Sequence, residues 1–409
     1  MVKQTPVDLR LWALCLAGMA QPWSKAGLSI GGGLLLLTTL WHRRPLGTFN
    51  TAIGKATGLF LLALLISVFT SSDVAQGWDN FTSFWPLGFL FFGAAAVRDA
   101  SNPRLYLWAF VASALVGSSI GLWHIASAFM EKGHFAGTAE VPTNIWLYSL
   151  SMSGGVICSL VLMRGQSTAV KGLLMVAALC QLLAVFATRR RMTLFVCGLI
   201  LLAMIPYFLA RSKWALLALA ALIGVGTWML ASDFRVKRLT TFEAFLEGEQ
   251  TRTALWTYGW DTFSAQPMTG TGLGDFRDEL HQFARTEGKE RYPGTKLKHA
   301  HCHNNFLQVA ATSGIPGMVT FVIWTFLLPI WVWRRRRWNK DAAFLALAAW
   351  FTIFAAGLTD APLFSSSRLS CFTLLFGYSW GMMLRSKPEQ HSIASEPADP
   401  NPKPDAAVA

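Results

Sequence analysis

Charge is scarce in this sequence. Of its 409 residues 14% are charged and 53% are hydrophobic, where a soluble domain carries about a quarter charged residues. That shortage excludes a soluble enzyme. Cysteine is nearly as scarce. Cys15, Cys158, Cys180, Cys197 and Cys371 fall inside apolar runs, where a thiol packs as a small hydrophobe. Only Cys302 lies in a hydrophilic segment, so a disulfide framework is excluded. The sequence also lacks the apolar–polar alternation of barrel strands, a G-x-G-x-x-G or P-loop motif, an H-E-x-x-H motif, and any internal repeat. The apolar run 9–20 has no small-residue cleavage site after it, so the first helix is expected to be retained.

What is present is a series of apolar blocks. Twelve of them approach the ~17–25 residues needed to cross the hydrocarbon core as a helix. Their cores are 9–23, 28–41, 56–70, 81–97, 105–129, 145–163, 172–187, 194–210, 214–230, 314–333, 342–357 and 371–384. The first two are short enough to form a tight hairpin. The expected fold is all-α: a polytopic membrane protein of about twelve spans. The net charge of +13 does not call for nucleic acid, because the basic residues cluster in short loops on one side of the alternating spans: 42–44, 98–104, 164–171, 211–213, 334–340, and Arg385 with Lys387. The positive-inside rule makes that side cytoplasmic and puts both termini there. The chain divides into spans over 1–232, one large extracytoplasmic loop over 233–304, spans over 305–385, and a tail over 386–409 whose Pro, Ala, Asp and Glu content predicts disorder.

The extracytoplasmic side holds 71–80, 130–144 and the long loop. Loops of that length in a compact protein are usually functional. Two short helices are expected within it, over 240–248 and 253–263, the second with Trp256, Trp260 and Phe263 on one face. One loop breaks the charge rule. Alternation puts Thr188-Arg189-Arg190-Arg191 outside, and three adjacent cations there need a reason. Guanidinium groups hold phosphate through bidentate bonds, and Arg191 stands at a helix start, where free N–H groups favour an anion. Snorkelling to lipid phosphates is the structural alternative. Arg252 opens the aromatic helix and is a second candidate. Pro267-Met268-Thr269-Gly270-Thr271-Gly272-Leu273-Gly274 lacks nucleotide-binding spacing and reads as a tight backbone turn. In His299-Ala300-His301-Cys302-His303-Asn304-Asn305 the three histidines raise the possibility of zinc, but the spacing is not that of a finger. The alternative is a general base, His303, where the loop re-enters the membrane, with Asn304 to orient a ring or a substrate. No metal and no cofactor are expected.

These elements, in this order, resemble the O-antigen ligase and polymerase superfamily of membrane glycosyltransferases. The resemblance rests on Arg189 to Arg191, Arg252 with Trp256, the turn Pro267, Gly270 and Gly272, the run His303-Asn304-Asn305-Phe306-Leu307, and Gly314-Ile315-Pro316-Gly317. It implies a GT-C-like fold in a bacterial inner membrane with the active site facing the periplasm. It also implies transfer of a glycan from undecaprenyl pyrophosphate to lipid A–core, with membrane lipids as surroundings. His303 becomes the base for the acceptor hydroxyl, and Arg189, Arg191 and Arg252 stabilise the leaving pyrophosphate. Arg190, His299, His301, Asn304, Trp256, Gly270 and Gly272 become substrate-binding candidates. A polymerase or a protein O-oligosaccharyltransferase would use the same residues. A lipid or anion transporter is the reading from another class; its charges belong near the bilayer midplane rather than in one asymmetric loop.

Overall fold

The computed structural model describes residues 8–41, 47–132, 144–188, 190–209, 242–292 and 301–387. Among them the regular structure is entirely helical. Helices α1 (Leu9–Ala20) and α2 (Lys25–Trp41) form the expected tight hairpin, closed by the Trp23 N–H to Ala20 carbonyl bond at 2.9 Å. There follow α3 (Ala52–Phe69), α4 (Val74–Thr82), α5 (Gly88–Asp99), α6 (Arg104–Lys132), α7 (Ile145–Leu162), α8 (Thr168–Ala187) and α9 (Arg191–Leu209). The large loop contributes α10 (Phe242–Ala265), α11 (Phe276–Arg285) and α12 (Glu287–Arg291). The chain then returns through α13 (Asn305–Arg335), α14 (Lys340–Gly357) and α15 (Ser366–Arg385).

Seven helical segments among the described residues are long and apolar enough to cross a membrane, and α1, α2 and part of α9 are shorter apolar helices. Eleven of the twelve expected spans coincide with helices, while span 214–230 and the tail from 388 lie outside the described residues. Three expectations change. The fourth span is broken: Pro86 sits in a 3-10 turn, Trp85–Leu87, between α4 and α5, because proline cannot supply the N–H that would continue the helix. The stretch 74–80, expected as loop, is therefore helical. The two short loop helices are one, α10, since residues 249–252 contain no breaker. The tenth span begins nine residues early, at Asn305, and bends at Gly314 (φ 60°) instead of starting there.

Small residues and buried polar pairs hold the bundle together, as a lipid environment requires. A Cβ on Gly377 would lie 2.3 Å from the Phe89 carbonyl oxygen, and one on Gly381 would lie 2.5 Å from that of Ala94. Glycine thus lets α15 and α5 touch backbone to backbone. Trp324 stacks on Phe60 at 5.5 Å and donates its indole N–H to Thr57 at 3.0 Å, which ties α13 to α3. Buried Gln181 on α8 accepts from Ser159 at 3.2 Å and donates to the Val111 carbonyl at 3.3 Å, so its amide is satisfied without water.

Charges sort to the two ends. At one end Arg10 meets Asp99 at 3.3 Å, Arg164 pairs with Asp341, and Arg385 reaches the Ala100 carbonyl. All of these flank the loops expected to be cytoplasmic. The other end gathers the N-termini of α7, α9, α13 and α15 and the large loop.

Candidate active site

The site is built around the entry to α13. Asn304 is its N-cap, and its side-chain oxygen accepts from the N–H groups of Phe306 (2.9 Å) and Leu307 (3.1 Å). The other end of the same amide donates to the Leu358 carbonyl at 3.1 Å. Buried Asn305 accepts from the Leu363 N–H at 3.3 Å. Gly357 leaves room for this contact, because a Cβ there would fall 2.3 Å from the Asn305 amide nitrogen. The two asparagines therefore clamp the 358–363 turn, between α14 and α15, against the histidine run. Cys302 is buried, and its N–H bonds to Gln308 Oε1 at 2.7 Å. The chain must reverse at His303, which takes a left-handed backbone (φ 52°). Histidine is among the few residues enriched there, and local strain of this kind tends to gather at functional sites.

The clamped turn delivers Asp360, which the sequence reading did not single out. Its carboxylate is 5% exposed and fully engaged. Oδ1 lies 3.2 Å from His303 Nδ1, 3.7 Å from His301 Nε2 and 2.7 Å from the Ala361 N–H, and Oδ2 accepts from Arg368 at 2.8 Å. Burial works against its charge. The His303 hydrogen bond and the positive charge of Arg368 prevail and hold it well below the usual carboxylate range. With Nδ1–H turned to Asp360, the basic lone pair of a neutral His303 is on Nε2. His301 serves the loop differently: its Nδ1 accepts from the His303 N–H at 3.3 Å. Ligand atoms of His301, His303 and Asp360 lie within 4.8 Å of one another. A cation taken up there would compete with the His303–Asp360 hydrogen bond on Oδ1, while Arg368 sits on the other oxygen, Oδ2.

Arginine is supplied from two sides. Arg190 caps the start of α9, where its carbonyl accepts from Leu194 N–H at 3.0 Å, and its guanidinium lies 4.4 Å from the centre of the Trp146 ring. Arg368, on the first turn of α15, lies over the same ring at 5.0 Å. Burial and neighbouring Arg368 press on the charge of Arg190 while Asp360 supports it, which places all three in one electrostatic cluster. Arg190 is thereby joined to the cluster around Asp360. Arg191 opens α9, and Arg189, like His299, lies outside the described residues.

The loop helix α10 packs beside this cluster. Its Ala254 and Leu255 share an apolar core with Phe276, Leu280, Cys302 and Ala311, and Gly259 abuts Cys302 so closely that a Cβ would sit 2.6 Å from the sulfur. Arg252 is on that same face, two turns before Gly259 and about 10 Å along the axis. Trp256 is half-buried, with an indole N–H that has no hydrogen-bond partner. Gly270 and Gly272 do different work. Both have positive φ (65° and 95°), and a Cβ on either would strike backbone within 2.7 Å. The N–H groups of Thr271 and Gly272 donate to the Ala311 and Thr312 carbonyls at 2.9 and 3.1 Å, and Ile315 N–H returns to Pro267 at 2.8 Å. These bonds replace the helical ones lost at the Gly314 kink. Ser67 of α3 and Ser71 just past its end complete the knot, Ser67 donating to Thr312 O at 2.6 Å and Ser71 accepting from the Gly274 N–H at 2.9 Å. The glycine turn and the Gly-Ile-Pro-Gly bend are thus the two halves of one joint that docks the loop on the bundle.

Residues 176–322 match the family model described as O-Antigen ligase. That match supports a relation to the O-antigen ligase/polymerase superfamily over this part of the chain. The matched stretch holds Arg190, Arg252, the glycine turn with the Gly314 bend, and His303, and the likeness, with the apolar helices, supports a glycosyltransferase-like protein embedded in a membrane. It ends before Asp360 and Arg368, and Trp146 precedes it. Among curated proteins none matches the chain. Asp360 and Arg368 left only a weak mark in the sequence: two opposite charges eight residues apart in the turn joining the last two apolar blocks.

Proposed function

We propose that this protein is an O-antigen ligase. It transfers a glycan from undecaprenyl pyrophosphate to a hydroxyl of lipid A–core oligosaccharide at the periplasmic face of the inner membrane. The observation that carries this reading is the pairing of an aspartate-oriented histidine, His303, with the guanidinium of Arg190 at the end of the bundle opposite the basic loops. In the reaction His303 Nε2 takes the acceptor O–H proton as that oxygen attacks the anomeric carbon from the side opposite the leaving group. The bond from the anomeric carbon to the phosphate oxygen breaks, and the configuration inverts. Asp360 holds the imidazole in the productive tautomer and offsets the imidazolium that forms, a division of labour familiar from other His–Asp pairs. The growing charge on the pyrophosphate is met by arginines, Arg190 with Arg252 reaching from α10, and no metal is required.

Deleting the gene in its own bacterium tests the assignment. O-antigen should disappear from lipopolysaccharide while carrier-linked glycan accumulates, and a plasmid copy should reverse both. Lipopolysaccharide carrying a single repeat would make the protein a polymerase. An unchanged lipopolysaccharide profile would reject both.

A further inference from the structure

Trp146 belongs to no motif, yet it is the centre of the cationic half of the site. The Asn144 side chain caps α7, accepting from the Trp146 N–H at 2.9 Å, and so fixes the ring in the first turn of that helix. One turn further on, Ser149 pairs with Thr193 of α9 at 3.3 Å. That bond holds the start of α9, and with it Arg190, beside the indole. The ring has a guanidinium at 4.4 Å and another at 5.0 Å, so the two guanidinium carbons are no more than about 9 Å apart. Two like charges this close repel. An indole π-surface attracts both and lets them coexist without ligand. Trp146, Asp360 and Arg368 also line one cavity with Leu150, Thr193 and Pro362.

We propose that Trp146 is a positioning residue that holds Arg190 and Arg368 as a two-point clamp for the pyrophosphate of the donor, one guanidinium to each phosphoryl group. This rests on the ligase reading above and adds to it the second cation, Arg368, and the spacer. The geometry supports a division of roles. Arg368 is already bonded to Asp360, so it is anchored, and Arg190 depends on the ring for its placement. Binding of the diphosphate replaces repulsion between the two guanidiniums with two charge-assisted contacts.

The test uses the full-length protein in lipid nanodiscs and measures binding of undecaprenyl pyrophosphate without glycan, alongside transfer kinetics. Trp146→Ala is expected to weaken binding and raise the donor KM about tenfold, leaving the acceptor KM unchanged. Trp146→Phe, which keeps a π-face, should recover most of the loss. Because Trp146 acts through Arg190, Trp146→Ala combined with Arg190→Ala should bind no worse than Arg190→Ala alone. Wild-type binding with an unaffected Trp146→Ala, or a loss that Phe does not rescue in a protein of unchanged Tm, overturns the clamp and leaves the ligase reading standing. Failure of the wild type itself to bind undecaprenyl pyrophosphate rejects the ligase reading and the clamp with it.

Discussion

Replacing His303 is expected to lower kcat by about 10³-fold, the usual worth of a well-placed general base, with both substrates still bound. Alanine alone would leave the result ambiguous, because His303 sits at φ 52° and a left-handed alanine costs about 1–2 kcal/mol. His303→Asn separates the effects. Asparagine tolerates this backbone conformation and cannot accept the acceptor's proton, so near-wild-type Tm is expected with the full loss of turnover. Activity within tenfold of wild type in His303→Asn would remove the histidine from the chemistry.

Asp360 should matter to both folding and turnover. Its carboxylate is the partner of Arg368, whose side chain is 16% exposed, and of His303. Asp360→Ala leaves a largely buried cation uncompensated, a change that costs about 3–5 kcal/mol when one half of a buried pair is lost, and thermal unfolding of the purified protein should register it. Asp360→Asn keeps the shape but removes the charge that fixes the His303 tautomer, so turnover should fall about 10³-fold or more with a smaller stability change. The sign of the pH effect follows from the lowered pKa of this aspartate. Its stabilising contribution is complete above the ordinary carboxylate pKa of about 4 and fades as pH drops below that towards the folded-state value. The Tm gap between wild type and Asp360→Asn should therefore be widest near neutrality and narrow in acid. A constant gap would mean the charge is not what Asp360 contributes.

Much of this was legible in the sequence, and the exceptions share a cause. Apolar blocks and basic loops located the helices and sorted their ends, because hydrophobic length and loop charge are local properties. The histidine run and the out-of-place arginines singled out one end of the molecule for the same reason. Pro86 marked the break in the fourth span, but the apolar content on either side ran across it. Gly270 and Gly272 announced a turn without saying what comes close to it. Only the fold shows that the visitor is the helix backbone on either side of the Gly314 kink. Asp360, Arg368 and Trp146 were missed because each looks ordinary alone: a charge in a short turn, a charge at a helix start, an aromatic at the membrane surface. Their chemistry comes from contacts 57, 8 and 44 positions apart (His303 to Asp360, Asp360 to Arg368, and Trp146 to Arg190). Asn304, read as orienting a ring or a substrate, also holds, together with Asn305, the turn that carries Asp360.

The most direct measurement is a reconstituted transfer reaction with purified protein, undecaprenyl-pyrophosphate-linked glycan and lipid A–core, followed by the gel shift of the lipopolysaccharide with and without EDTA. The expected result is glycan transfer to lipid A–core that EDTA does not reduce and that His303→Asn abolishes. Transfer that stops in EDTA and returns with added divalent metal, or that proceeds unchanged in His303→Asn, would contradict it.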